Sequence, residues 1–123
     1  MSLGAVFDTN ILIDFLRGEM RARDELERFD KAAISMVTWM EVLVGSQSEA
    51  ESTRLRAFLS TFLRVPIDEE VANRAIALRR LHRIKLPDAL IWATAQQQGA
   101  LLVTRNTRDF PASCPDVRVP YTF

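Results

Sequence analysis

An α/β architecture, one central parallel sheet flanked by helices on both sides, is the fold to expect from this sequence of 123 residues. Short apolar runs of strand length (Leu3 to Phe7, Ala32 to Val37, Leu101 to Thr104) alternate with longer segments whose apolar residues recur at helical spacing. A strand that is followed by a helix and then by another strand runs parallel to it, because the helix carries the chain back to the starting end of the sheet. The length supports one hydrophobic core and not two, so residues 1–123 read as a single domain.

The first run ends at Asp8-Thr9-Asn10, turn-forming residues that lead into a helix carrying Ile11, Leu12, Phe15 and Leu16 and stopped by Gly18. Glu19 to Phe29 follows as a charged amphipathic helix. Thr38 to Val44 reads as a helix closed by Gly45. Glu49 to Leu63 reads as another, with Leu55, Phe58, Leu59, Phe62 and Leu63 on its apolar face. Arg64 to Ile67 contains Pro66, which has no amide hydrogen to give to a ladder, so it suits an edge strand or an extended connection. Val71, Ala75, Leu78 and Leu81 mark a helix from Asp68 to His82. Pro87-Asp88 opens the apolar helix Ala89 to Gln98, which Gly99 closes. Leu101 to Thr104 leads into the polar turn Arg105 to Asp109, and Val117 to Val119 is a short final strand.

Composition narrows the function. The chain is 48% apolar and 26% charged, ordinary for a globular domain and unlike a disordered one. The single cysteine, Cys114, has no internal partner and fits a reducing cytoplasm. One cysteine and one histidine, His82, are too few for a zinc site. No stretch free of charge, Gly and Pro approaches the ~20 residues that cross a bilayer, and no apolar leader precedes the first charged residue. A cytoplasmic protein away from membranes is therefore expected. The four glycines form neither a dinucleotide fingerprint nor a P-loop. Net charge is zero, yet fourteen of the sixteen cations are arginine, and the guanidinium fork matches phosphate geometry.

Open α/β sheets bind ligands beyond the carboxyl ends of their strands. Asp8 follows the first strand, Glu41 lies one turn into the helix after the second, Asp88 opens the apolar helix, and Asp109 follows the strand after it. Each has an ordinary structural alternative. Asp8 suits an Asx turn, Thr38 to Glu41 has capping-box spacing, Asp88 complements a helix dipole, and Asp109 suits a turn cap. Structural roles for all four at one end of one sheet are harder to accept. Clustered carboxylates resist joint ionisation unless a cation neutralises them, and an oxygen-only set suits Mg²⁺ or Mn²⁺. Hydrolysis of a phosphodiester is the natural reaction class for such a site.

Four motifs then appear in order: Val6-Phe7-Asp8-Thr9-Asn10, Thr38-x-x-Glu41-x-x-x-Gly45, Pro87-Asp88-Ala89-Leu90-Ile91, and Leu102-Val103-Thr104-Arg105-Asn106-x-x-Asp109-Phe110. Together they closely resemble the PIN domain, specifically the VapC-type toxins of bacterial toxin–antitoxin pairs, from about residue 5 to residue 119. The resemblance implies an endoribonuclease that depends on Mg²⁺ or Mn²⁺ and cleaves RNA with metal-activated water. By position, Asp8 and Asp88 would be the main metal ligands, with Glu41 and Asp109 completing the pocket. Thr9 and Asn10 would shape the turn at the first acid. Thr104 and Asn106 would hydrogen-bond the acids or their waters. The fourth acid varies within such families, so Asp109 matches least firmly. A homodimer and a cognate antitoxin whose tail covers the pocket are implied as well.

Other residues carry weaker signals. Arg105 and Arg108, in the turn that holds Asp109, are candidate RNA contacts, as is Arg83 in the basic run from Arg79 to Lys85. The same run also suits a solvated helix end. His82 reads as a surface residue, and Trp39 and Trp92 as core or subunit packing. Two rivals remain. A non-catalytic binding module of the same fold would keep the sheet without the chemistry. A haloacid-dehalogenase-type phosphohydrolase would need D-x-D after the first strand, where Asn10 stands instead.

Overall fold

The computed structural model describes residues 4–123, which form five strands and six helices. In chain order these are β1 (Ala5–Phe7), α1 (Thr9–Leu16), α2 (Met20–Arg28), β2 (Ala32–Ser35), α3 (Met36–Val44), α4 (Glu49–Leu59), β3 (Leu63–Val65), α5 (Glu69–His82), α6 (Leu86–Gln98), β4 (Leu101–Val103) and β5 (Val117–Arg118). The strands make one sheet in the order β3-β2-β1-β4-β5, and every pair is parallel. Leu3, expected to begin the first strand, lies outside the described residues.

Strand side chains alternate between the two faces. Val6, Ala33 and Leu102 point into a core built with Val71, Ala75, Leu78, Trp92 and Phe110, largely from α5 and α6. Ala5, Phe7, Ile34 and Val103 point the other way, onto Ile11, Leu12, Ala22 and Leu59 from α1, α2 and α4. Burial on both faces explains why these strands read as unbroken apolar runs. Among the described residues, no helix is long and apolar enough to cross a membrane.

Several boundaries differ from those expected. The second strand ends at Ser35, not Val37, because the Ser35 side chain accepts a hydrogen bond from the Val37 amide (3.0 Å) and starts α3 two residues earlier. Thr38 is therefore fully buried inside the helix and caps nothing. The helix from Glu49 stops at Leu59, and Leu63 sits on the exposed edge strand β3, 62% exposed. Its spacing matches the apolar face of α4 only by continuing the count through a turn. The apolar helix starts at Leu86, so Asp88 falls within its first turn.

Gly99 closes α6 at φ 61°, and an added Cβ there would meet nothing within 4 Å. The cost of Gly99→Ala is then the left-handed backbone alone. A loss of about 1–2 kcal/mol in urea unfolding is expected.

Candidate active site

From β1 the chain steps outward to β2 and β3, then returns to place β4 and β5 on the opposite side. The crevice between the carboxyl ends of β1 and β4 is the switch point where α/β sheets bind ligands. Asp8 stands there, immediately after β1, with its amide bonded to the Val103 carbonyl at 2.9 Å. It is 3% exposed and also caps α1. Its Oδ1 accepts from the Thr9 amide (2.7 Å), and its Oδ2 accepts from the Thr104 hydroxyl (2.8 Å) and the Asn10 amide group (3.1 Å).

The other acids arrive from three elements. Glu41, exposed on α3, accepts from the Thr9 hydroxyl at 2.6 Å, and that hydroxyl lies 3.0 Å from the Thr38 hydroxyl. The capping-box alternative for Glu41 is thus replaced by a contact between helices. Asp88 is half-buried in the first turn of α6. Asp109 accepts from the Asn106 side-chain amide (2.8 Å), while the Asp109 amide donates back to Asn106 Oδ1 (3.3 Å). The Asn106 amide in turn donates to the Thr104 hydroxyl at 3.0 Å, so the turn carrying Asp109 is tied to Asp8 through one threonine.

These carboxyls feel one another. Asp8 is pushed up to about 6, first by burial and then by the charges of Asp88 and Glu41, against the bonds from Thr104 and Thr9. Asp88 is raised by burial and by the charges of Asp109 and Glu41, with Lys85 opposing. The four acids therefore share one electrostatic neighbourhood. Among the described residues, no three acidic, His or Cys side chains are already closed into a metal cage. Mg²⁺ requires none, because it keeps several waters and takes one or two carboxylates. An all-oxygen donor set under mutual repulsion fits a hard divalent cation.

The raised Asp8 carboxyl sets the sign of a pH effect in metal-free protein. Unfolded, the group titrates near 3.8; folded, at about 6, so the native state holds the proton between them. Stability should fall as pH rises through that window, by roughly 3 kcal/mol, and this contribution should level off above it. Denaturant unfolding in chelator from pH 4 to 7 measures the slope, which Asp8→Asn should flatten.

Arg108 and Arg83 are exposed, and neither has an ion-pair partner among the described residues. Arg105 is different. Its guanidinium is held by Asp14 on α1, with Nη2 to Oδ1 at 3.0 Å. Asp14 is 3% exposed, and its importance is not signalled by the sequence because its partner lies 91 residues away. His82 packs its ring 4.7 Å from that of Trp92. Trp92 is core, its indole N–H bonded to Asp116 at 2.9 Å. Trp39 is half-buried under the guanidinium groups of Arg56 and Arg64.

The fold and the site define an α/β domain with an acidic cluster at the sheet's switch point. The family model for the PIN domain matches residues 5–112. Ribonuclease VapC10 of Mycobacterium tuberculosis is 40% identical over 112 residues, covering 85% of this chain and 84% of that protein. Ribonuclease VapC19 of the same species is 34% identical over 125 residues, covering 94% and 98%. A solved toxin–antitoxin complex from Klebsiella pneumoniae contains a chain that superposes with a TM-score of 0.91 at 47% identity, covering 98% of this chain and all of that one. The chain belongs to the PIN domain family.

Proposed function

We propose that this chain is an endoribonuclease dependent on Mg²⁺ or Mn²⁺ and the toxin half of a toxin–antitoxin pair. The observation that carries the reading is the set of four acids at the switch point, two of them raised by burial and by their neighbours' charges. Asp8 and Asp88 would hold the ion, with Glu41 and Asp109 joining directly or through water. When bound, the ion would neutralise the scissile phosphate and supply an activated water.

The chain's own residues do the positioning. Thr104 and Asn10 fix one oxygen of Asp8, Thr9 fixes Glu41, and Asn106 fixes Asp109. Arg108 and Arg83 offer exposed cations to the RNA backbone, where each phosphate contact adds salt-sensitive affinity. The ribonuclease names of the two mycobacterial relatives support the reaction, and the Klebsiella complex supports an antitoxin partner. Met40 and Val44, exposed apolar residues one turn apart on α3, offer a surface to a second copy of the chain.

Incubating the purified protein with a mixed cellular RNA pool tests the reading, with Mg²⁺, with Mn²⁺, with chelator, and with Asp88→Asn. Discrete products that need the metal and vanish in the variant are expected. Cleavage that survives chelator and Asp88→Asn alike would overturn the metal assignment, and no cleavage under any condition would favour a binding module.

A further inference from the structure

The carboxy-terminal residues after β5 fold back over α1 and α2. There the Tyr121 hydroxyl donates to Asp14 Oδ2 at 2.8 Å, the same oxygen that accepts from Arg105 Nε. The Arg105 guanidinium also lies over the Phe123 ring, 4.5 Å from its centroid. Arg21 covers the same tail, 4.9 Å from the Tyr121 ring and 5.0 Å from that of Phe123, and reaches the Thr122 carbonyl at 3.4 Å. A buried carboxylate, a two-pronged guanidinium and a buried phenol are thus joined across elements more than 90 residues apart.

Arg105 stands between the two residues that hold the site acids. Thr104 before it bonds Asp8, and Asn106 after it bonds Asp109. The Arg105 amide also donates to Asn10 Oδ1 at 3.4 Å, and the other end of that Asn10 amide bonds Asp8. A shift of Arg105 along its own chain would therefore reach both acids at once.

We propose that Asp14, Arg105 and Tyr121 form a clamp that positions the 104–109 turn, and through it Asp8 and Asp109, so that Arg105 serves the site by orienting it and not by binding RNA phosphate. The proposal rests on the function proposed above. Ion-pair geometry supports it: an arginine joined by two prongs to a buried carboxylate has two of its donors committed, and lysine cannot reproduce the fork. Removal of an outer partner of a metal ligand typically costs about 10- to 100-fold.

Arg105→Lys keeps the charge and loses the fork, and Tyr121→Phe removes one bond to Asp14 while leaving the ring. In steady-state RNA cleavage well below the melting temperature, Arg105→Lys should lower kcat by about 10- to 100-fold with KM changed less than about twofold. Tyr121→Phe should shift kcat in the same direction. Amide hydrogen exchange at positions 104, 106 and 109 should quicken in both variants ahead of the rest of the sheet. A rise in KM with kcat unchanged for Arg105→Lys would make it a phosphate contact and overturn the clamp. Unchanged kcat and unchanged exchange would overturn it too. If the wild-type protein cleaves no RNA, the exchange measurement alone decides the clamp, and the failure belongs to the proposed function.

Discussion

Asp8→Asn is expected to abolish RNA cleavage while making the metal-free protein more stable at neutral pH. The two effects have one cause. Ionised Asp8 is buried at 3% exposure beside other acids, and the native state tolerates it because the Thr9 amide, the Thr104 hydroxyl and Asn10 surround it. Asparagine is nearly the same size and keeps the oxygen that caps α1. Its NH₂ opposes the Asn10 amide donor, and it faces a Thr104 hydroxyl oxygen that already accepts from the Asn106 amide and from Asn10. The gain is therefore bounded by the roughly 3 kcal/mol set by the raised carboxyl, and falls below it by whatever these contacts cost. The loss of activity should exceed the ~100-fold upper range for changes to a ligand's surroundings, since the variant removes the proposed ligand itself. Thermal melts in chelator at pH 7.5, alongside cleavage of RNA with Mn²⁺, make the comparison. Joint loss of stability and activity would mean that Asp8 serves the fold and not the ion.

Trp92→Ala is expected to cost about 3–5 kcal/mol, a large part of the 5–15 kcal/mol available to a domain of this kind. Trp92 is 1% exposed, stands edge-to-face on Phe110 at 5.8 Å, and donates its indole N–H to Asp116. Truncation opens a cavity between α6, the Phe110 segment and the approach to β5, and it leaves Asp116 unpaired. Phe110 directly follows Asp109, so activity should fall faster with temperature than in the wild type. Urea unfolding gives the first quantity and cleavage assayed at two temperatures the second. A cost below ~1 kcal/mol would show that the core collapses around the gap.

The sheet and the four acids were legible because each rests on local chemistry. Buried parallel strands read as apolar runs, and residues such as Asp8 and Asp68 announce helix starts by capping them. The boundary at Ser35 was hidden because the apolar run continues from the strand into α3 without a change of pattern. Leu63 misled for a related reason: helical spacing persisted by chance across the turn that ends α4. Long-range polar pairs left no trace. Asp14 sits among apolar residues of α1 and looks like a solvent-facing position, yet it is buried by Arg105 and Tyr121. Glu25 looks like one more charge in a charged helix. It is 4% exposed and bonded to Arg118 on β5; burial raises its carboxyl, and Arg118 and Arg28 bring it below its ordinary range. No spacing rule links positions 93 residues apart, so such pairs are seen only once the chain is folded.

The central position of β1 has a consequence in time. β1 is made before its neighbour β4, and the partner that steadies Asp8, Thr104, follows 96 residues later. At ~5–20 residues per second, the first strand waits roughly 5–20 s for that neighbour. An interrupted translation product that stops before β4 carries Asp8, Glu41 and even Asp88 on a sheet without its second half. Thr104 and Asp109 come after the other three acids in the chain, so a product interrupted before β4 lacks both the fourth acid and the hydroxyl that steadies the first.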